Sequence, residues 1–396
     1  MSLTIAGVLL VSLLLVMVPV TVMLVQVVSA VIPPRKFTQP RDAVRPRLAV
    51  LVPAHNESVG VVATLNSVLA QFKEGDRLLV VADNCTDDTG AVARAAGAEV
   101  LERHDDSRRG KGYALDFGMR HLERDPPQLV IIVDADCQVT AGAIERIAML
   151  SATTGRPVQA LYLMTHAGPA RPMAQIAEFA WVVKNLVRPL GYHHLGLPCQ
   201  LMGTGMAFPW AAICNADLAS GHIVEDMKLG ADLARAGTPP LFCPDALVLS
   251  AFPGSEEGTR DQRTRWEHGH LSMIFGAVPR MLFDGARGRG SGLLALGLDL
   301  LVPPLSLLGL LIVLLFGIGA LLALATPAIA PLALATAILL MFVAAMALSW
   351  LRFGMDIVSP ATALLAFGYA LRKIPLYLKF LVRRQVEWVR SKRDGN

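Results

Sequence analysis

Two aspartates, Asp134 and Asp136, close the stretch LVIIVDAD, in which five apolar, β-favouring residues lead straight into acid. Residues i and i+2 of an extended segment point to the same side, so both carboxylates are expected to aim at one point. Like charges that close need a cation nearby, and a divalent metal carrying a phosphate would supply one. Other candidates recur along the chain. Glu57 follows the run RLAVLV (Arg47–Val52), and Asp83 follows DRLLVVA (Asp76–Ala82). The loop RRGKG (Arg108–Gly112) sets Lys111 between two glycines, where backbone can approach a phosphate closely. Farther on, Glu225 and Asp226 stand ahead of an expected helix, Met227–Ala236. The pentapeptide QRTRW puts Gln262, Arg265 and Trp266 on one helical side, at i, i+3 and i+4. Each feature has a bland counterpart: Asp83 as a turn residue, Glu225-Asp226 as a first turn answering the helix dipole. Their number and order carry the argument.

The elements that must position these residues alternate. Strands are expected at Arg47–Val52, Asp76–Ala82, Ala98–Leu101 and Leu129–Val133. Between them the spacing predicts helices at Ser58–Gln71, Asp87–Ala96 and Tyr113–Leu122, with another at Ala141–Ser151. That alternation implies a parallel sheet with helices on both faces. Such sheets bind ligands beyond the carboxyl ends of their strands. Glu57, Asp83, Asp134 and Asp136 all fall at such ends, so they should meet on one rim.

The 396-residue chain is 54% hydrophobic, and the excess is unevenly spread. Leu3–Val31 and Ala335–Leu351 carry no charge, and Gly292–Ala325 carries only Asp299. Helices of about 20 apolar residues cross the hydrocarbon core, so three spans are expected. The third must borrow from the Ala328–Thr336 side to be long enough. Residues 1–32 then form an N-terminal span and 33–290 a globular domain. Residues 291–352 hold two further spans, and 353–396 an interfacial or re-entrant segment with a basic tail. Basic residues (Arg35, Lys36, Arg41, Arg45 and Arg47 after the first span; Arg280, Arg287 and Arg289 before the second; Arg383, Arg384 and Arg390 in the tail) put the domain and the C-terminus in the cytoplasm. Ile357–Leu371 is short and holds Pro360, so it should lie in the interface or re-enter without crossing. Arg171–Leu190 reads either as a core-facing helix or as one lying at the bilayer surface.

The net charge of +4 is concentrated beside the expected spans, which suits anionic headgroups and not nucleic acid. Five cysteines show no zinc-ligand spacing and are expected to be reduced. His193-His194 is expected to be structural.

In order, PAHNE (Pro53–Glu57), ADNCTDDT (Ala82–Thr89), RGKGYAL (Arg109–Leu115), DAD (Asp134–Asp136), VED (Val224–Asp226) and QRTRW (Gln262–Trp266) resemble the D, DxD, D, QxxRW series of membrane-bound family 2 glycosyltransferases, the group of cellulose, hyaluronan and chitin-oligosaccharide synthases. The likeness covers about Leu48–Arg280. It implies an α/β GT-A domain flanked by transmembrane helices, in the inner membrane, with a nucleotide-sugar donor (a UDP-sugar by expectation) and Mg²⁺ or Mn²⁺. By the resemblance, Pro53, Glu57, Asp83, Lys111 and Asp134 bind the nucleotide, and Asp134 with Asp136 holds the metal. Asp226 matches the general base, and Gln262, Arg265 and Trp266 match the element that meets the diphosphate and the acceptor. Gly203, Thr204 and Gly205, with Glu225 and Trp266, are expected at the acceptor. The acceptor itself is a growing exopolysaccharide or lipid-linked saccharide. The alternative is a glycolipid synthase adding one sugar to a ceramide-, hopanoid- or diacylglycerol-type lipid. Three spans are few for a polymer channel, which leaves room for a homo-oligomer or export partners.

Overall fold

The apolar runs form strands because every second residue finds a hydrophobic layer on each side. In β1 (Leu48–Ala54) and β2 (Arg77–Asp83), Leu48, Val50, Val52, Leu78 and Val80 enter one core, while Ala49, Leu51, Leu79 and Val81 enter another. Helices Val61–Leu69 and Ala143–Thr154 cover the first face, and helix Lys111–Leu122 covers the second. Each such Val or Leu, fully buried, stabilises the fold by about 1.5–3 kcal/mol. A computed structural model describes residues 2–33, 44–166, 168, 171–253 and 256–382. Of the basic residues used above for orientation, Arg35, Lys36, Arg41, Arg383, Arg384 and Arg390 lie outside the described residues.

The remaining strands are β3 (Glu99–Arg103), β4 (Leu129–Ile132), β5 (Gln138–Val139), β6 (Val158–Thr165), β7 (Met206–Pro209) and β8 (Leu241–Ala251), and the sheet order is β3-β2-β1-β4-β7-β6-β8-β5. The expected parallel pairing holds across β3, β2, β1 and β4. Beyond β4 the sheet is mixed: β7 runs antiparallel to both β4 and β6, and β5 antiparallel to β8. The alternating pattern was strong only in the first half of the domain, so the reversal at β7 had no counterpart in the sequence reading.

Among the described residues, three helices are long and apolar enough to cross a membrane: Thr4–Val31, Leu305–Ala325 and Ala330–Phe353. The expected single run Gly292–Ala325 is corrected. Val302 is extended, and Pro303-Pro304 separates a short apolar helix, Ser291–Leu301, from helix Leu305–Ala325. Proline removes backbone donors and disfavours helix in the residue before it. Asp299, the lone charge of that run, is buried in the short helix. It accepts from Gln26 Nε2 (2.7 Å) and from Arg188 (2.6 Å), while Arg188 Nε donates to Gln26 Oε1 (2.9 Å). Removing one partner of a pair this buried costs about 3–5 kcal/mol, so the knot fastens the first span to the domain.

Arg171–Leu190 packs on the core on one side and on the apolar helices on the other. The segment is helical over Pro172–Val182, passes through a π-helical turn at Val183–Val187 and continues as Arg188–His194. Trp181 packs on the sheet core, and Val182 and Val187 pack on the apolar spans. It is a wedge between the two bodies. Ile357–Leu371 contains only short helices, Pro360–Ala363 and Ala366–Leu371.

Candidate active site

The rim expected at the strand ends is present, though the pieces reach it differently from the prediction. Asp134 and Asp136 do not converge by strand alternation. Strand β4 stops at Ile132, and a turn closed by Cys137 N–H donating to Asp134 O (3.1 Å) carries the acidic pair. Two further bonds fix that turn: Asp134 N–H donates to Thr204 Oγ1 (3.0 Å), and Thr64 Oγ1 donates to Ala135 O (2.8 Å). Ligand atoms of Asp134, Asp136 and Cys137 then lie within 4.8 Å of one another. Burial and the adjacent carboxylates hold the Cys137 thiol well above its usual pKa, so it stays protonated. Two hard carboxylates remain, the donor chemistry that suits Mg²⁺ or Mn²⁺.

Lys111 opens helix Lys111–Leu122 and reaches into the same cleft. Its Nζ lies 2.5 Å from Asp134 Oδ1 and 3.8 Å from Glu225 Oε1, and donates to Gly203 O (2.6 Å). Burial opposes its charge, but Asp134, Glu225 and Asp226 outweigh that and hold its pKa above the ordinary lysine value. For Asp134, Glu225 and Asp226, burial dominates and raises the carboxyl pKa, with Lys111 opposing it.

Glu225 and Asp226 sit inside the first turn of helix Glu225–Arg235, which starts two residues earlier than expected. Asp226 Oδ1 accepts from Met227 N–H (2.8 Å). The QRTRW element lies on helix Glu256–Gly276. That helix meets Val224 so closely that any Cβ at Gly269 would overlap the valine side chain. Glycine at 269 therefore lets the helix bring Arg265 within electrostatic reach of Glu225. Gln262 is buried, and Trp266 stacks at 4.9 Å between ring centroids on Trp181.

The Gly203–Gly205 stretch divides. Gly203 (φ +93°) faces the cleft, where an added Cβ would lie 3.4 Å from Asp226 Oδ2. Thr204 is buried and holds Asp134. At Gly205 a Cβ would meet Val248 and Ala160 in the core. Pro53 lies within β1, half-buried, and does not end the strand. Glu57 N–H donates to Thr89 Oγ1 (2.8 Å), and Glu57 O starts helix Val61–Leu69. The two loops after β1 and β2 are tied together where Asn56 Nδ2 donates to Thr86 Oγ1 (3.0 Å) and Thr86 N–H to Asn56 Oδ1 (2.7 Å).

Asp83 is buried and ion-paired with Arg103 at 2.5 Å. Its pKa is raised by burial, with Arg103 opposing. The sequence reading missed Arg103; a charged residue ending a half-exposed strand carries no signal. His194 Nδ1 lies 2.8 Å from Ser29 O, a structural contact, and all five cysteines are free.

Fold and site together define a class: a glycosyltransferase of GT-A architecture, with its acidic cluster past the carboxyl ends of the parallel strands. The family model described as "Glycosyltransferase like family 2" matches residues 46–269, over half of the chain, and the protein belongs to that family. It is 31% identical over 256 residues to the probable glycosyltransferase YdaM of Bacillus subtilis, covering 58% of this chain and 56% of that protein. It is 36% identical over 100 residues to the uncharacterized glycosyltransferase Rv0539 of Mycobacterium tuberculosis, covering 25% of this chain and 41% of that one. The chain thus spans about half the length of the curated relatives it matches. Among solved structures, the mannosyltransferase PcManGT of Pyrobaculum calidifontis, in complex with GDP-Man and Mn²⁺, aligns over 97% of this chain and 100% of its own (TM-score 0.55, 17% identity). That likeness shows the fold.

Proposed function

We propose that the enzyme moves a sugar from a nucleotide-sugar donor, a UDP-sugar in the first instance, to a saccharide or lipid acceptor at the membrane surface, with inversion. The observation that carries this reading is the single cleft in which Lys111 touches Asp134 and Gly203 and lies 3.8 Å from Glu225, with Asp226 beside Gly203. Asp134 and Asp136 would hold Mg²⁺ or Mn²⁺, which when bound supplies positive charge against the departing diphosphate. Lys111 and Arg265 add fixed positive charge to that side. Asp226 takes the proton of the acceptor hydroxyl as its oxygen bonds to the anomeric carbon. The bond from that carbon to the diphosphate breaks, and the nucleoside diphosphate leaves. One base and one displacement give inversion.

Pro53, Glu57 and Asp83 fit the nucleoside end, since the tied loops after β1 and β2 form one wall of the rim. Asp83 would then act together with Arg103. The likeness to cellulose and hyaluronan synthases favours an exopolysaccharide or lipid-linked saccharide product. Trp181 and Trp266, which line a cavity shared with the start of helix Leu305–Ala325, favour the second reading, a single sugar added to a lipid. Incubating the detergent-solubilised protein with labelled UDP- and GDP-sugars, Mn²⁺ and membrane lipid tests both. Label should enter a product; a ladder supports polymerisation and one added sugar supports the lipid reading. No transfer from any donor would contradict the function.

The proposed orientation is an inner-membrane protein with its catalytic domain cytoplasmic. A reporter fused after Asn396 should then read as cytoplasmic, and one inserted near Pro327 as lying across the membrane from it. A C-terminal reporter on the far side would mean that Ile357–Leu371 crosses.

A further inference from the structure

A cavity of about 110 Å³ lies between the wedge helix and the start of the second span. At about 30 Å³ per water it holds three or four waters, or a group of comparable size. Its wall carries four cations, Lys184, Arg188, Arg263 and Lys373, against one carboxylate, Glu267. Two of the four are neutralised: Arg188 by Asp299 (2.6 Å), and Lys373 by an ion pair with Glu267. Lys184 and Arg263 have no carboxylate within ion-pair distance among the described residues; each lies over an aromatic face, Trp181 at 5.3 Å and Tyr369 at 6.0 Å, and Asp226, Asp299 and Glu267 act on Lys184 only from farther off.

Two more observations point the same way. The indole N–H of Trp181, which also lines the cavity, is buried with no acceptor. Leu305 and Ser306 on the wall open a 21-residue helix, so its positive dipole end borders the space. Burial also lowers the Lys184 pKa, and the more distant charges of Asp226, Asp299 and Glu267 do not fully offset it.

We propose that this cavity binds the phosphate of an anionic lipid acceptor, held by Lys184 and Arg263 and accepting from the Trp181 indole. A lipid is favoured over a free anion because Pro303, Pro304 and Leu305 form one wall, where the span begins. The acyl part of a lipid would run along that span while its headgroup stays beside Trp266 and near Asp226. The inference deepens the proposed function and rests on its membrane-level acceptor.

The test uses the full chain in detergent, with dioctanoyl phosphatidic acid, dioctanoylglycerol and inorganic phosphate as probes and calorimetric titration as readout. Phosphatidic acid should bind saturably. Lys184→Met with Arg263→Met should weaken it by about 10–100-fold, the effect of losing charge-assisted hydrogen bonds. Lys184→Arg should retain binding. Nucleoside diphosphate binding with Mn²⁺ should be unchanged in the double variant, which shows that it folds. Equal binding by the double variant, by dioctanoylglycerol or by inorganic phosphate would overturn the assignment. If the wild type binds phosphatidic acid as expected but no nucleotide, the proposed function falls and the anion site stands.

Discussion

Asp226→Asn is expected to slow sugar transfer by about 10²–10⁴-fold, the range for loss of a general base, while nucleotide binding and the fold survive. The geometry separates two roles that the sequence alone could not. A carboxylate that merely answered the helix dipole would contribute about 0.3–1 kcal/mol of stability and nothing to turnover. Asp226 does sit in the first turn of helix Glu225–Arg235, and its Oδ1 takes one N–H there. It is also half-buried in the cleft beside Gly203 and Lys111, and the loss of solvent there raises its pKa.

A raised pKa has two consequences with opposite signs. The folded state holds the Asp226 proton more tightly than the unfolded chain does. Stability from this group is therefore greatest below the ordinary aspartate pKa and is lost as pH rises through the higher folded value. Turnover rises through that same window, because only the charged form is a base. Asn at 226 should remove this group's share of both, leaving that of Asp134 and Glu225, with little loss of thermal stability. Glu225→Gln should be milder on rate, since Glu225 is oriented by Lys111 and Arg265. Normal turnover in a folded Asp226→Asn protein would refute the base.

Chelation is expected to abolish transfer, with Mn²⁺ or Mg²⁺ restoring it. Asp136→Asn should lower the rate by at least about 10²–10³-fold through lost electrostatic stabilisation of the leaving group. Within the turn Asp134–Cys137 the thiol of Cys137 stays protonated, and Asp134 is already engaged by Lys111 at 2.5 Å. Replacing Asp136 leaves a single carboxylate shared with an ammonium, a poor site for a divalent ion. Unlike the base variant, this one should also weaken nucleoside diphosphate binding. Activity that persists in excess EDTA would contradict a metal role.

Legibility in the sequence followed the physics of each signal. The strands of the β1–β4 half were readable because buried parallel strands are continuous apolar runs between helical patterns. Strands β6, β7 and β8 were not, because their neighbours are defined by pairing across long sequence distances. The three long apolar helices were legible from length and charge. The break at Pro303-Pro304 was available in the sequence but was overridden by the apolar run around it. Motif order brought Lys111, Asp134, Glu225 and Asp226 to notice, and the structure gathers these four in one cleft. How they meet was hidden: the turn that aims Asp134 and Asp136 depends on Thr204 and Thr64, each about seventy residues away. Arg103, and the cavity-lining cations Lys184 and Arg263, were invisible in the sequence, because only the fold shows which charges a carboxylate meets directly.

The central claim is that this cleft binds a nucleoside diphosphate through a divalent metal, and thermal unfolding of the solubilised full-length protein tests it most directly. UDP, GDP and their sugars would each be added with and without Mn²⁺, alongside the Asp136→Asn variant. Ligand at one hundred times its dissociation constant should stabilise the wild type by about 2.7 kcal/mol. The account predicts that at least one nucleotide does so only with Mn²⁺, and that Asp136→Asn loses the effect. Unfolding temperatures that no nucleotide shifts in the presence of metal, or that shift equally in EDTA, would contradict it.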